Sequence, residues 1–201
     1  MRVALFFPVI LVGCSMIGGG KDAPDLVTRG AVCGDAAIQG VSIGNVPGNG
    51  ACGISNAVEV DAVGGILLSQ PSKMNCETAR TLKTWVEDDM IPTVGDYGGG
   101  VQSLKVAAHY ACRTRNNRRG ARLSEHAKGN AIDISAFRLV DGTSITVLSD
   151  WGGSKRGRIL KQLHKSACGP FGTVLGPNSD VHHRDHFHFD IARHRGGPYC
   201  R

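Results

Sequence analysis

Six cysteines, Cys33, Cys52, Cys76, Cys112, Cys168 and Cys200, are spread through the chain behind an apolar leader, and a seventh, Cys14, closes that leader. Arg2 precedes an apolar run from Val3 to Val12 that contains Leu5, Phe6, Phe7, Ile10 and Leu11. A bilayer-spanning helix takes about 20 residues, so this run is too short to span and has the length of a signal-peptide core. Export delivers the chain to an oxidising compartment, where an even set of cysteines implies disulfides. Their spacing leaves the pairing open. It contains no C-x-x-C pair, which argues against a cysteine-ligated zinc site. With 28 glycines and only 5% aromatic residues among 201, the chain predicts one globular domain of many turns and short elements.

The leader ends in Leu11-Val12-Gly13-Cys14, which resembles a bacterial lipobox. That resemblance implies residues 1–13 as a signal peptide, lipid on Cys14, and residues 14–30, with Gly18-Gly19-Gly20, as anchor and flexible tether. The alternative is a plain secretory signal with an incidental Cys14. Residues 31–201 then form the folded domain. Ser15, a residue other than Asp after the cysteine, favours the outer membrane by resemblance to enterobacterial sorting rules. The expected product is an exported lipoprotein, held to the membrane through Cys14 and facing the periplasm. The formal net charge of +6 suits an anionic envelope polymer such as peptidoglycan, and equally nucleic acid or lipid headgroups.

Residues 34–56 are rich in Gly, Asn and Pro and read as irregular structure pinned by Cys33 and Cys52. Val58, Val60 and Ala62 alternate with Glu59 and Asp61, and Gly64-Gly65 turns the chain into Ile66-Leu67-Leu68 as a hairpin. Asn75 caps a helix from Cys76 to Met90, with Ala79, Leu82, Trp85, Val86 and Met90 as its apolar stripe and Pro92 as its stop. Strands are expected over Leu104–Tyr110, Ala131–Phe137, Ile145–Leu148, Phe171–Leu175 and His186–Ala192, and a helix capped by Ser154 runs to Ala167. Residues 114–123, with Arg115, Arg118, Arg119 and Arg122, read as an exposed basic loop; His164 and His194 read as surface residues. This succession predicts an α+β fold with a central antiparallel sheet and flanking helices, stapled by disulfides.

Two segments carry chemistry: Ser124 to Asp133, and His182-His183-Arg184-Asp185-His186-Phe187-His188-Phe189-Asp190. On a strand, His186 and His188 share one face while Phe187 and Phe189 pack on the other. Asp133, between Ile132 and Ile134, projects from the outer face of a buried strand, where a carboxylate is costly unless paired or bound to metal. Gly129 allows a sharp turn between His126 and Asp133. Two imidazoles and a carboxylate make a zinc site with an open fourth position, the arrangement of catalytic sites.

Tyr110-Ala111-Cys112-Arg113-Thr114, Ser124-Glu125-His126, Gly129-Asn130-Ala131-Ile132-Asp133, His186-Phe187-His188 and the terminal Tyr199-Cys200-Arg201 resemble, in order and character, the bacterial extensin-like C-terminal domain family over residues 33–201. That family in turn resembles the superfamily of lysostaphin-type peptidases, D-Ala-D-Ala metallopeptidases and hedgehog domains. The resemblance implies His126, Asp133 and His188 as zinc ligands in a hedgehog/D-Ala-D-Ala peptidase-like fold. It implies His186 as the leading acid/base, then His183, by likeness to the His-x-x-His-x-His of penicillin-insensitive murein endopeptidases, then Asp185, and Arg113 as the oxyanion partner. The implied function is a zinc-dependent peptidase, an endopeptidase or carboxypeptidase, acting on peptidoglycan peptides. The alternative is a non-catalytic zinc-containing envelope or peptidoglycan-binding module, as hedgehog domains permit. Nucleic acid is not an expected partner, because the arginine loop carries no aromatic stacking platform.

Overall fold

The computed structural model describes residues 30–201. The leader, Cys14 and the tether as far as residue 29 lie outside the described residues. The strands and helices are β1 (Ala31–Val32), β2 (Asp35–Pro47), β3 (Gly53–Val63), β4 (Ile66–Met74), α1 (Cys76–Trp85), α2 (Ile91–Val94), β5 (Val101–Ala108), β6 (Ala131–Leu139), β7 (Ser144–Thr146), α3 (Val147–Asp150), α4 (Lys155–Ala167), β8 (Thr173–Leu175), β9 (Phe187–Asp190) and β10 (Tyr199–Cys200). They form one ten-stranded sheet in the order β1-β2-β3-β4-β5-β6-β9-β8-β10, with β7 paired to β6.

The fold is α+β-like, but its sheet is mixed rather than antiparallel throughout. β4 pairs parallel with β5, and β8 with β10. The first exception follows from connectivity, since the helical segment α1–α2 carries the chain from the C-terminal end of β4 back to the level of its N-terminal end before β5 begins. Trp85 of α1 is fully buried and packs on Phe137 and Phe189, while Leu160 and Leu163 of α4 are buried in the same core. Truncating a buried Phe or Trp to Ala typically costs about 3–5 kcal/mol, so this aromatic group is a main support of the helix-covered face.

The helix caps follow the sequence. Asn75 Oδ1 accepts from the Thr78 N–H at 2.8 Å, and Ser154 Oγ accepts from the Gly157 N–H at 3.1 Å. The β3–β4 hairpin turns at Gly64 and Gly65 with φ of 55° and 77°, the pair of positive values a two-residue turn needs. Pro92 does not stop the first helix. A π-helical turn over Val86–Met90 precedes α2, and the Ile91 N–H bonds to Val86 O. The wider turn moves the carbonyls that a proline ring would otherwise strike, so the chain stays helical to Val94 and leaves at Gly95.

Residues 34–56 are not irregular. Most of them form β2 and the start of β3, a long half-exposed hairpin arm with three register shifts. Gly40 and Gly44 lie at its register shifts, while Gly48, Asn49 and Gly50 turn the arm from β2 into β3. At Gly40 a Cβ would collide with the Glu59 carbonyl. Cys33 and Cys52 therefore do not pair. They sit at opposite ends of a 13-residue strand that spans about 40 Å. The bridges are Cys33–Cys76, Cys52–Cys112 and Cys168–Cys200. They tie the first strand to α1, the β2–β3 turn to the segment after β5, and the end of α4 to β10.

Candidate metal centre

β6 and β9 place the first two groups by register. Asp133 is directly opposite His188, while Ile132 faces Phe189 and Ile134 faces Phe187. Directly opposed residues in an antiparallel pair project from the same face. The carboxylate and imidazole therefore share the outer face, and the aromatic rings fill the core behind them. The third group comes from the turn before β6. Glu125–Lys128 form a 3-10 turn that ends at Gly129, with φ of 68°. This left-handed backbone favours glycine, and a Cβ there would meet the Ile54 side chain at 2.5 Å. The Gly129 carbonyl accepts from the Asn75 N–H and Thr78 hydroxyl, each at 3.0 Å, which fastens the turn to the start of α1.

Three atoms converge. His126 Nε2 lies 3.1 Å from Asp133 Oδ1, His188 Nδ1 lies 2.9 Å from the same oxygen, and the two nitrogens are 3.1 Å apart. His126, Asp133 and His188 are 1%, 4% and 7% exposed, so this contact is shielded from bulk water. These three residues can hold a metal ion. In a tetrahedral site with ligand distances near 2.05 Å the ligand atoms stand about 3.3 Å apart. The observed triangle meets that spacing after an expansion of a few tenths of an ångström.

The far side of each ring is fixed. His126 Nδ1–H donates to the His109 carbonyl at 2.7 Å, which turns Nε2 toward the centre. His188 Nε2–H donates to Asp190 Oδ2 at 3.0 Å, which leaves Nδ1 directed at the centre. A carboxylate or carbonyl behind a histidine fixes its tautomer and raises its basicity as a ligand. Asp190 is itself held by the Ala192 N–H at 2.9 Å. Burial works to raise the Asp133 carboxyl, but hydrogen bonds from His126 and His188 outweigh it and hold the group well below the usual carboxylate range. Burial likewise opposes charge on His188, but Asp133 and Asp190 overcome it and raise the imidazole to about 9.

The centre opens on a cleft of about 430 Å³, whose lining includes Arg113, His183 and His186. His186 Nε2 lies 3.6 Å from Asp133 Oδ2, and its Nδ1 bonds to Asp185 Oδ1 at 2.8 Å. His183 is buried, bonds through Nδ1 to Asp180 at 2.8 Å, and places its ring 5.3 Å from that of His186. Burial, only partly offset by Asp180, lowers the His183 pKa. Asp185 stands apart from the cleft lining, with its side chain 64% exposed, and its contact with the site runs through His186.

A match to the family described as the extensin-like protein C-terminus covers residues 34–201. The chain belongs to the extensin-like C-terminus family. No curated protein and no solved structure matches it. The extensin-like match spans every residue of the centre and its cleft.

Within this extensin-like domain, sequence reasoning passed over Asp190. The signal was present, because the alternation that pairs His186 with His188 continues to Asp190. His194 is exposed, as read from the sequence, and it also lines the cleft, with Nε2 2.9 Å from Thr173 Oγ1. His164, read the same way, is half-buried against Trp151 and Phe187, behind β9.

Proposed function

We propose that His126, Asp133 and His188 bind zinc and that the domain is a zinc-dependent peptidase acting on the peptide part of peptidoglycan, with the fold related to the hedgehog/D-Ala-D-Ala peptidase group. One observation carries the reading. Three buried ligand atoms meet at one point, with both imidazoles oriented from behind, at the floor of a substrate-sized cleft. Nitrogen and oxygen donors in this number suit zinc with a position left for substrate chemistry. A bound zinc ion would supply Lewis acidity, activating water toward neutral pH and polarising a carbonyl.

The remaining work falls to the chain's own groups. His186 takes or delivers a proton at Nε2, the nitrogen that faces the centre, while Asp185 holds Nδ1–H and fixes the tautomer. His183, kept neutral by burial and steered by Asp180, stands beside it as a further proton carrier. Arg113, partly exposed on the cleft wall, meets the developing oxyanion. The apolar leader and Cys14 would export and anchor the enzyme at the membrane, within reach of the wall.

The test is digestion of purified murein by zinc-loaded protein, read by mass spectrometry. New peptide products that vanish in His186→Ala while zinc stoichiometry is retained would support the reading. Zinc bound at one equivalent with no product from murein or its peptides would refute the peptidase and leave a binding module.

A further inference from the structure

The cleft holds an imbalance of charge. Four carboxylates line it, and each is engaged. Asp133 meets His126 and His188; Asp190 meets His188 and the Ala192 N–H. Glu125 accepts from Lys128 at 3.2 Å and from Asn130 at 2.7 Å. Asp180 accepts from the His182 N–H at 2.7 Å and from His183 at 2.8 Å. The two arginines on the lining are different. Among the described residues, neither Arg113 nor Arg115 has a carboxylate within ion-pair distance, and the Arg113 guanidinium makes only a 3.5 Å contact with the carbonyl of Thr114.

The backbone that carries these arginines is held in place. The basic segment is an exposed loop beside the cleft, as the sequence suggests, closed at its base by a single bridge. Thr114 bridges Leu123, the Arg115 N–H bonds to Arg122 O at 2.9 Å, and the Ser124 N–H bonds to Arg113 O at 3.0 Å. The Cys52–Cys112 bridge fastens its base. At its bend Asn116 and Asn117 both adopt left-handed backbone, with φ of 53° and 54°, a conformation asparagine tolerates better than most residues, and both line the cleft. Leu175 and Tyr199 also line the cleft and supply apolar surface.

We propose that Arg115, with Asn116 beside it, is a carboxylate-binding subsite that fixes an anionic group of the peptide close to the bond cleaved. The proposal rests on the peptidase reading and narrows its substrate to peptides that carry a free carboxylate near that bond. A guanidinium presents a planar fork that matches a carboxylate through two hydrogen bonds, and a carboxamide adds a neutral donor. Arg115 positions substrate, while Arg113 remains with the reacting carbonyl. The carboxylate can come from the peptide's C-terminus or from an acidic side chain.

The experiment compares one wall peptide in three forms: free, amidated at the C-terminus, and amidated at its side-chain carboxylates. Binding to the zinc-loaded His186→Ala protein is measured by calorimetry, so that bound peptide is not turned over, in the Arg115, Arg115→Gln and Arg115→Lys backgrounds. The free peptide should bind about tenfold more tightly than one of the amidated forms, as expected for a charge-assisted contact. Arg115→Gln should erase that difference and Arg115→Lys should keep part of it. The amide that weakens binding identifies which carboxylate is held. With His186 intact, the same substitution should raise KM about tenfold and leave kcat within about twofold. Equal affinity for all three forms, or a preference that survives Arg115→Gln, overturns the subsite. A preference that depends on Arg115 in a protein that cleaves none of the peptides upholds the subsite and refutes the peptidase reading instead.

Discussion

Raising the pH should destabilise the metal-free domain, because His188 binds a proton more tightly when folded than when unfolded. Asp133 and Asp190 hold its imidazole at about 9 against burial, whereas the unfolded value is about 6.5. The stabilisation is therefore present in full below pH 6.5 and is lost as pH rises through 9. At about 1.4 kcal/mol per pH unit the gap amounts to roughly 3 kcal/mol. His188 is only 7% exposed, so solvent screening removes little of it. The three histidines whose pKa values burial lowers do not mask the effect. His109, His164 and His183 have pKa values lowered by burial, so they titrate below the window and destabilise only as pH falls beneath about 6.5. Urea unfolding in chelator between pH 6.5 and 9.5 should thus show the midpoint falling. The Asp133→Asn variant should flatten the slope, because the charge that retains the proton is gone. Zinc should reverse the sign, since it needs a neutral imidazole and must displace that proton. Its affinity should rise about tenfold per pH unit up to 9, with about one proton released per metal bound at neutral pH. A metal-free stability that stays flat or rises between pH 6.5 and 9 would refute the argument.

Two further expectations follow from the supports of the centre. Asp190→Asn removes the carboxylate behind His188 Nε2 while keeping its shape, so zinc affinity should fall about 10- to 100-fold in a chelator-competition titration, with the fold retained by circular dichroism; unchanged affinity would mean that the contact does not tune the ligand. Replacing both Cys52 and Cys112 by Ser releases a bridge between residues separated by 60 positions, and chain entropy gives a loss of about 4 kcal/mol in urea unfolding. A loss under about 1 kcal/mol would show that the unfolded chain keeps the loop base close without the bridge.

Much of the centre was legible in the sequence because strand alternation is a short-range property. Asp133 between Ile132 and Ile134, and His188 between Phe187 and Phe189, each announce a strand with a core face and a site face. Register turns those two local patterns into a contact, and the cross-strand pairs Ile132–Phe189 and Ile134–Phe187 favour the register that places Asp133 opposite His188. The long arm of β2 was not legible, because its glycines and asparagines are poor strand formers taken one by one. Its pairing with β3 supplies hydrogen bonds that no local propensity reports. The same limit hid the cysteine pairing, which depends on where the ends of that arm lie.

The clearest consequence lies in β9, a strand of only four residues. Phe187 and Phe189 face the core, where Phe189 packs on Trp85 and Phe171, while His188 and Asp190 build the centre on the other face. A one-residue slip would put both aromatic rings in the cleft and both polar groups in the core. The apolar contacts of this strand therefore do more than stabilise the sheet: they fix its register, and the register decides which side chains meet at the centre. Bulk lost from Phe189 should thus appear as weaker metal binding as well as lower stability, although the ring never touches a ligand atom.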